Sequence, residues 1–413
     1  MDDHAAGRPF PPAAVSRRAE QWAATMDGTE CGPVRRAHRD PTPAVATPTV
    51  LARAEREAAE AAALAPGASR ASGAGRRAVP EEPDEWRTCF ERDRDRILHS
   101  TAFRRLAGKT QVFVHPADHQ RTRLTHALEV SQVATAIARA LRLNVALTEA
   151  IALGHDCGHG PGGHASEDAL GLYVTGGYDH AVWGADVVLA GLNLCAETLD
   201  GIRCHSWSRP SPATPEGEVV SWADRIAYVC HDFEDAVAAG VVDPAVLPPG
   251  VRARCGDTRR RQLDTFVRAV VATTVACGHV GMDAATADAL AQMRATNYRH
   301  IYMRPASMAQ AAAVVPVLRA LVEHFADHPG RLAGLAPAGG DTRAGGLLAP
   351  ASGGGVGASP GVGAGAGPPA GSEEAVRAAV TYVGGMTDRF AFRTAVADLG
   401  WDPGRLPLAV GSA

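Results

Sequence analysis

Aromatic side chains are scarce, with Phe, Tyr and Trp making up 5% of the 413 residues. A core in this chain therefore has to come from Leu, Ile, Val and Ala, and the plentiful Gly (44) and Pro (28) leave part of its length outside any core. The eight cysteines form no CxxC pair, which excludes a thiolate zinc ribbon or a thioredoxin-like motif and favours reduced thiols over a disulfide framework. Charge of one sign is also lacking. The formal net charge is −4, with acids and bases interspersed, so no broad basic field asks for nucleic acid or an anionic membrane. No apolar run reaches membrane-spanning length, and the opening MDDHAAGRPFPP lacks the charged-then-apolar layout of a secretory signal. The expectation is a soluble, cytoplasmic protein with no membrane partner.

Two tracts carry little chemistry. Residues 1–85 are rich in Ala, Arg, Pro and Glu, with one short Ala/Glu run at 51–64. They bury too little apolar surface to offset the entropy of ordering and are expected to be mostly disordered. Residues 334–372 are dominated by Gly, Ala and Pro and read as a flexible linker. A catalytic domain is expected at 86–333, with a C-terminal helical segment at 373–413 packing on it.

Between the tracts the signal is helical. His126, Val130, Val133, Ile137 and Leu141 recur at spacings of three or four, which puts them on one helix face. A second helix runs through Leu147 and Ile151 to His155 and stops at CGHGPGG. A third begins near Glu216 and ends before Gly240. Further helices are expected at 258–276, 284–303, 306–328 and 373–398. Alternating strand patterns are missing, so the fold class is all-α.

Histidines are unevenly spread: eight of the sixteen lie between His115 and His205. His126 sits in an apolar helical stripe, where a polar ring needs a partner. His155 and Asp156 form a pair at a helix end after an apolar stripe. Asp224 follows Val219, Val220, Trp222 and Ala223 inside a long helix, where a carboxylate is costly unless it meets a cation. One histidine on an apolar face is more often a satisfied core residue than a ligand. The spaced set H…HD…D, each member on an apolar helix, points instead to a divalent metal. Two imidazoles and two carboxylates form a mixed N/O set suited to Mn, Fe, Co, Ni or Zn.

These residues lie in segments with a family likeness. RTRLTHALEV, EAIALGHDCGHGPGGHASE and SWADRIAYVCHDFEDAV resemble the deoxynucleoside triphosphate triphosphohydrolases, the dGTPase-like branch of the HD superfamily. DRDRILHSTAFRRLAGKTQVF upstream and YVGGMTDRFA near the C-terminus extend the likeness. It covers roughly 86–333 and resumes at about Glu373. The resemblance implies an HD-type helical bundle that hydrolyses a dNTP to a deoxynucleoside and inorganic triphosphate. It implies a metal, among Mn, Mg, Fe, Co and Ni, held by His126, His155, Asp156 and Asp224. It also implies a symmetric homo-oligomer in which a second dNTP acts as activator.

The resemblance further gives His164 the role of general acid, with Glu167 orienting it, and places His159 and His180 against phosphate oxygens. A carboxylate three residues after His164 on a new helix favours the protonated ring that a poor 5′-oxygen leaving group needs. Arg123, one turn before His126, is placed on the phosphates, and Gln111, Tyr228 and Asp232 face the deoxyribose. MRATNYRHIYMRP resembles the segment that brings Arg294, Tyr298 and Arg299 to the triphosphate. Across the catalytic loop the family reads HDLGHPPFGHAGE. Here Cys157 stands for a leucine, and Gly160 and Gly162 stand for a proline and an aromatic, which predicts a softer loop with a less filled wall. Two other functions compete: a different HD phosphohydrolase, such as a nucleotidase or cyclic-nucleotide phosphodiesterase, and a non-catalytic module that senses dNTPs. Binding of single-stranded nucleic acid through the FRR and RDRDR segments stays open as a side activity.

Overall fold

The computed structural model of the chain describes residues 16–26, 28–38, 45, 49–114, 116, 119–332 and 368–407. Most of the tract expected to be a linker lies outside the described residues. The chain divides into two units, Met1–Leu51 and Ala52–Ala413. The first carries α1 (Arg17–Ala24) and an antiparallel hairpin of β1 (Thr29–Cys31) and β2 (Val34–Arg36), paired Thr29 to Arg36. This two-stranded sheet is the one sheet among the described residues.

The second unit is helical, as the periodicity predicts. It opens with α2 (Arg53–Ala63), α3 (Cys89–His99) and α4 (Thr101–Arg105). The central layer follows with α5 (Arg123–Leu141), α6 (Val145–Gly154), the short α7 (Ala165–Leu170) and α8 (His180–Trp183), α9 (Ala196–Cys204) and α10 (Pro215–Ala238). Beyond it lie α11 (Pro249–Cys255), α12 (Arg259–Cys277), α13 (Ala284–Asn297), α14 (Pro305–Asp327), α15 (Glu373–Gly384) and α16 (Asp388–Leu399).

The core lies where α5, α6 and α10 meet, with α3 closing over α6. Val130, Ile137, Leu147, Ile151, Val220 and Ile226 are fully buried there, each worth about 1.5–3 kcal/mol relative to exposure. Helix starts are set by side chains. Asn144 accepts the Leu147 N–H at 3.0 Å to begin α6, and Thr214 accepts the Gly217 N–H at 3.1 Å to begin α10, with Pro215 in its first turn.

Three expectations change. The helix expected over 373–398 is two helices, because Gly384 and Gly385 end α15 and Thr387 caps α16. Helix α14 has 23 residues, and an 18-residue stretch of it has a mean hydropathy of 1.4, so by length and composition it could cross a membrane. Gln310 and Arg319 break the apolar run in the sequence. One face, carrying Val314, Val317, Leu318, Leu321, Val322 and Phe325, is buried, and the helix packs against α7, α15 and α16. Finally, residues 52–85 belong to the helical unit, so the boundary suggested by composition at 86 falls inside it. Ala71 reaches the core, and polar and ionic contacts add to the hold. Glu216, fully buried, accepts the Ser69 N–H and hydroxyl and the Asn144 N–H, and Arg77 pairs with Asp93 at 2.6 Å.

Candidate active site

Two helix ends, the turn after one of them and one helix middle bring the four predicted metal-binding residues together. His126 lies in the first turns of α5 and faces inward with Val130 and Val133. His155 is the residue that ends α6, and Asp156 follows it in the turn. Asp224 projects from the middle of α10, packed against α5 and α6. His126 Nε2 stands 3.1 Å from Asp224 Oδ1, and His155 Nε2 stands 3.7 Å from the same oxygen and 3.4 Å from Asp156 Oδ1.

The donor set suits a divalent cation. His155 Nδ1–H donates to the Ala152 carbonyl at 2.7 Å, which leaves Nε2 as a lone pair. That Nε2 is buried and has no hydrogen-bond partner. Both carboxylates stay ionised although burial opposes it: His155, Arg123 and His159 hold Asp156 well below the usual range, and His126 and His155 hold Asp224 at about 2. Burial pulls the His126 ring down, but its bond to Asp224 and the charge of Asp156 raise it overall. The cluster draws positive charge towards itself, and a metal bound to both carboxylates and both Nε2 atoms would supply it.

Beside this cluster is a second one. Glu167, in the first turn of α7, accepts His164 Nδ1–H at 3.1 Å through one oxygen. Its other oxygen accepts His180 Nδ1–H at 2.7 Å and the His180 backbone N–H at 3.0 Å. His164 caps α7 with 73% of its side chain exposed, so its Nε2 remains available. His180 Nε2 lies 3.3 Å from His205 Nε2, and His205 donates its own Nδ1–H to the Ile202 carbonyl. His205 can therefore only accept from His180, which is left as an imidazolium. The two groups shift accordingly. Burial opposes the charge on His180 but Glu167 raises it, while burial and the neighbouring His155 and His180 press His205 down to about 4. His159 stacks on His180 with centroids 3.8 Å apart, and burial together with Arg123 and His180 keeps it neutral.

Both clusters open into one cavity of about 440 Å³. His126, Asp156, Asp224, His159, His164, His180, Gln111, Arg123, Tyr228, Asp232, Arg294 and Tyr298 line it. His155 and Glu167 stand directly behind, held to lining residues by the contacts given above. Arg299 is not in the wall. The chain turns as a π-helix over Tyr298–Tyr302, which brings Tyr298, Ile301 and Tyr302 to the cavity and leaves Arg299 exposed. Arg123 lines the cavity but is buried and ion-paired to Asp156 at 2.8 Å, so part of its guanidinium is already committed. The Gln111 carbonyl oxygen is buried without a partner. Tyr302 donates its hydroxyl to Asp232 at 2.5 Å, and burial pushes that carboxyl up to about 7. Arg294 donates to the Tyr228 hydroxyl at 2.8 Å.

Among the wall residues not singled out from the sequence, four bear on the chemistry: His205, Tyr302, Arg225 and Trp207. His205 ends α9 by the same Nδ1-to-carbonyl device that fixes His155; its membership in the histidine-rich stretch was the available signal. Tyr302 follows Tyr298 by one π-turn. Arg225, next to Asp224, has no carboxylate within ion-pairing distance among the described residues, and its guanidinium carbon lies 3.6 Å from the Trp207 ring centroid. Trp207 in turn meets Trp222 edge-on at 4.7 Å.

The loop that follows Asp156 is fuller than its glycines suggest. A Cβ on Gly162 would meet Val314 of α14 at 2.6 Å, and one on Gly160 would meet Ser166 at 2.7 Å. These neighbours occupy the room that larger residues would take. Cys157 is buried, and burial pushes its thiol up to about 12, an inert packing group.

Comparison with known proteins agrees with this geometry. The HD domain family pattern matches residues 123–229, which hold both clusters. A deoxyguanosinetriphosphate triphosphohydrolase-like protein of Caldanaerobacter subterraneus is 44% identical over 272 residues, covering 64% of this chain and 80% of that protein. A protein of the same description from Clostridium perfringens is 45% identical over 238 residues, covering 54% and 70%. Another from Deinococcus radiodurans is 47% identical over 217 residues, covering 48% and 58%. Identity of this degree across most of a relative's length, on a helical fold with the HD residues gathered in one cavity, places the chain in the deoxyguanosinetriphosphate triphosphohydrolase-like family of HD-domain proteins.

Proposed function

We propose that this chain is a metal-dependent hydrolase that cuts deoxynucleoside triphosphates at the α-phosphorus, giving a deoxynucleoside and inorganic triphosphate. The observation that carries it is the His164–Glu167 pair opening into the same cavity as the His126, His155, Asp156 and Asp224 cluster. A divalent metal such as Mn or Mg, held by those four residues, supplies Lewis-acid polarisation of a phosphoryl oxygen and a hydroxide source near neutral pH. His164 protonates the departing 5′-oxygen from Nε2, with Nδ1–H fixed on Glu167. The His180 imidazolium, Arg294 and Arg225 provide positive charge to the phosphates, and Arg123 holds Asp156 in place with what remains of its guanidinium facing the wall. Gln111 offers its unpaired carbonyl oxygen, and Asp232 its carboxyl, to the 3′-hydroxyl, while Tyr228 lies along the sugar.

The names of the relatives support a dGTP-like substrate, and this reading extends to dNTPs as a class. A cytoplasmic location, a homo-oligomer and activation by a second dNTP belong to the same reading by family likeness. The experiment is a panel of each dNTP with Mn²⁺ or Mg²⁺, with and without a second dNTP, scored for triphosphate. Orthophosphate or an opened cyclic phosphate as product would point to another HD phosphohydrolase. Absence of any product across dNTPs, metals and activators would refute the reading. Sedimentation with and without dNTP tests the assembly.

A further inference from the structure

We propose that Asp388 is a positioning residue whose carboxylate, from outside the cavity, sets the catalytic loop against the segment that carries Gln111. It is the first residue of α16 and is only 4% exposed. One carboxylate oxygen accepts the Gly162 N–H at 2.8 Å; the other accepts the Thr110 N–H at 3.0 Å and the Thr110 hydroxyl at 2.5 Å. Thr110 and Gly162 both line the cavity, each beside or near a residue of the proposed chemistry: Gln111 next to Thr110, His164 two residues after Gly162. Asp388 itself does not reach the cavity, so it acts through these two neighbours.

Lys109 completes the clamp from the other side. Its ammonium donates to the His159 carbonyl and, at 3.0 Å, to the Gly384 carbonyl. The loop between His159 and Gly162 is thus held at both ends, and both anchors engage the C-terminal segment, at Gly384 and at Asp388. The composition underlines the position, since Lys109 is the one lysine in a chain with 41 basic residues. A compact point donor reaches two carbonyls in a closed space where a planar guanidinium would need more room.

The loop needs external support because its own backbone supplies little. Gly162 and Gly163 sit at φ +75° and +64°, which glycine adopts freely and leaves as freely. Fixing Gly162 N–H on a buried carboxylate selects one conformation of that pair and so one position for His164. A displacement of about 1 Å at a reacting group can cost on the order of 100-fold in rate.

The inference rests on the dNTP reading for its substrate, and the two fail separately. Wild-type product identity tests that reading; Asp388 is tested by variants against the wild type on whichever nucleotide it hydrolyses. Asp388→Asn must turn its NH2 towards at least one of the three donors, the Gly162 N–H when its oxygen keeps Thr110, and kcat should fall about 100-fold with KM changed far less. The alkaline limb of the kcat–pH profile, which a general acid governs, should move as His164 loses its place. Thr110→Val, which keeps the side-chain shape and is the milder change, should lower kcat about tenfold through the loss of one strong bond. Combined with Asp388→Asn it should add less than its separate effect, because the two act as one unit. A kcat per folded molecule unchanged in both single variants, with only the melting temperature lowered, would overturn the proposal and leave Asp388 as a structural residue. If Asp388→Asn does not fold, Thr110→Val alone decides.

Discussion

Two buried ionic centres in this protein look alike by composition and differ in one respect. Around Arg77 and Asp93 nearly every valence is used, with Glu81 Oε1 the one buried atom left without a hydrogen bond. Arg77 donates to Asp93 and to the carbonyls of Ala74, Cys89 and Asn193 and is ion-paired with Glu81, while Asp93 also accepts the Cys195 N–H and the Thr198 hydroxyl. In the histidine–aspartate cluster, His155 Nε2, His126 Nδ1, His159 Nδ1 and Gln111 Oε1 are buried with no partner. A closed ionic knot holds segments of chain together. An open one, kept in place by its surroundings, has room for a ligand that completes it.

The contrast can be broken at its strongest point first. Asp224→Asn removes a carboxylate on which both imidazoles converge, and activity should fall at least about 10⁴-fold, since several kcal/mol of transition-state stabilisation depend on the metal. Metal content by mass spectrometry should fall with it while the melting temperature stays near the wild type. A large loss of stability instead would make the cluster a second structural knot. Asp93→Ala should do the reverse. Leaving the Arg77 guanidinium short of its main buried partner should cost about 3–5 kcal/mol in denaturant unfolding, with kcat per folded molecule retained; a stability loss within error would show the knot to be dispensable.

Gln111→Ala tests an open valence on the substrate side. KM for a dNTP should rise about three- to tenfold, the worth of one hydrogen bond, and a 3′-deoxy analogue should show no such rise. Equal losses for both would remove the 3′-hydroxyl as the partner. A further effect, read in stability alone, concerns Lys109. Burial, with Arg105 nearby, presses its pKa to about 7 in the folded protein. The unfolded chain, with an ordinary lysine, then binds more protons than the native state above pH 7, so folding stability should rise with pH from about 7 to about 10.4. Lys109→Met should flatten that slope. Lysine-labelled protein gives a single side-chain resonance, and its titration near pH 10 rather than near 7 would contradict the buried environment described for it.

Much of the open centre was legible because its residues violate a local pattern. A histidine in the apolar stripe of α5 and an aspartate in the apolar run of α10 are costly placements, and cost is visible in a sequence. His205 carried a weaker form of the same mark and was passed over, since it follows α9 without a neighbouring carboxylate to pair with it. Arg225 and Trp207 are 18 positions apart and meet only because α10 turns one towards the other, which no periodicity reports. Arg299 was misplaced because a π-turn shifts the facing residues by one position. The closed knot was illegible for a different reason: Arg77, Glu81 and Asp93 are ordinary charged residues until folding removes water from them. The helix break at Gly384–Thr387 did leave a trace, two glycines followed by a Thr-Asp cap, and on that break depends where Asp388 can point.

The solitary lysine has a practical consequence. Apart from the histidines every other basic side chain is a guanidinium, so an acylating reagent that targets primary amines finds, beyond an α-amine, only a lysine that is 3% exposed. Its reaction rate is then set by how often the structure around it breathes. If local opening is fast to reclose, the rate of Lys109 acylation relative to a free lysine gives the opening equilibrium directly. A single chemical label becomes a clock for the catalytic loop, and whatever nucleotide slows it has been felt at the clamp.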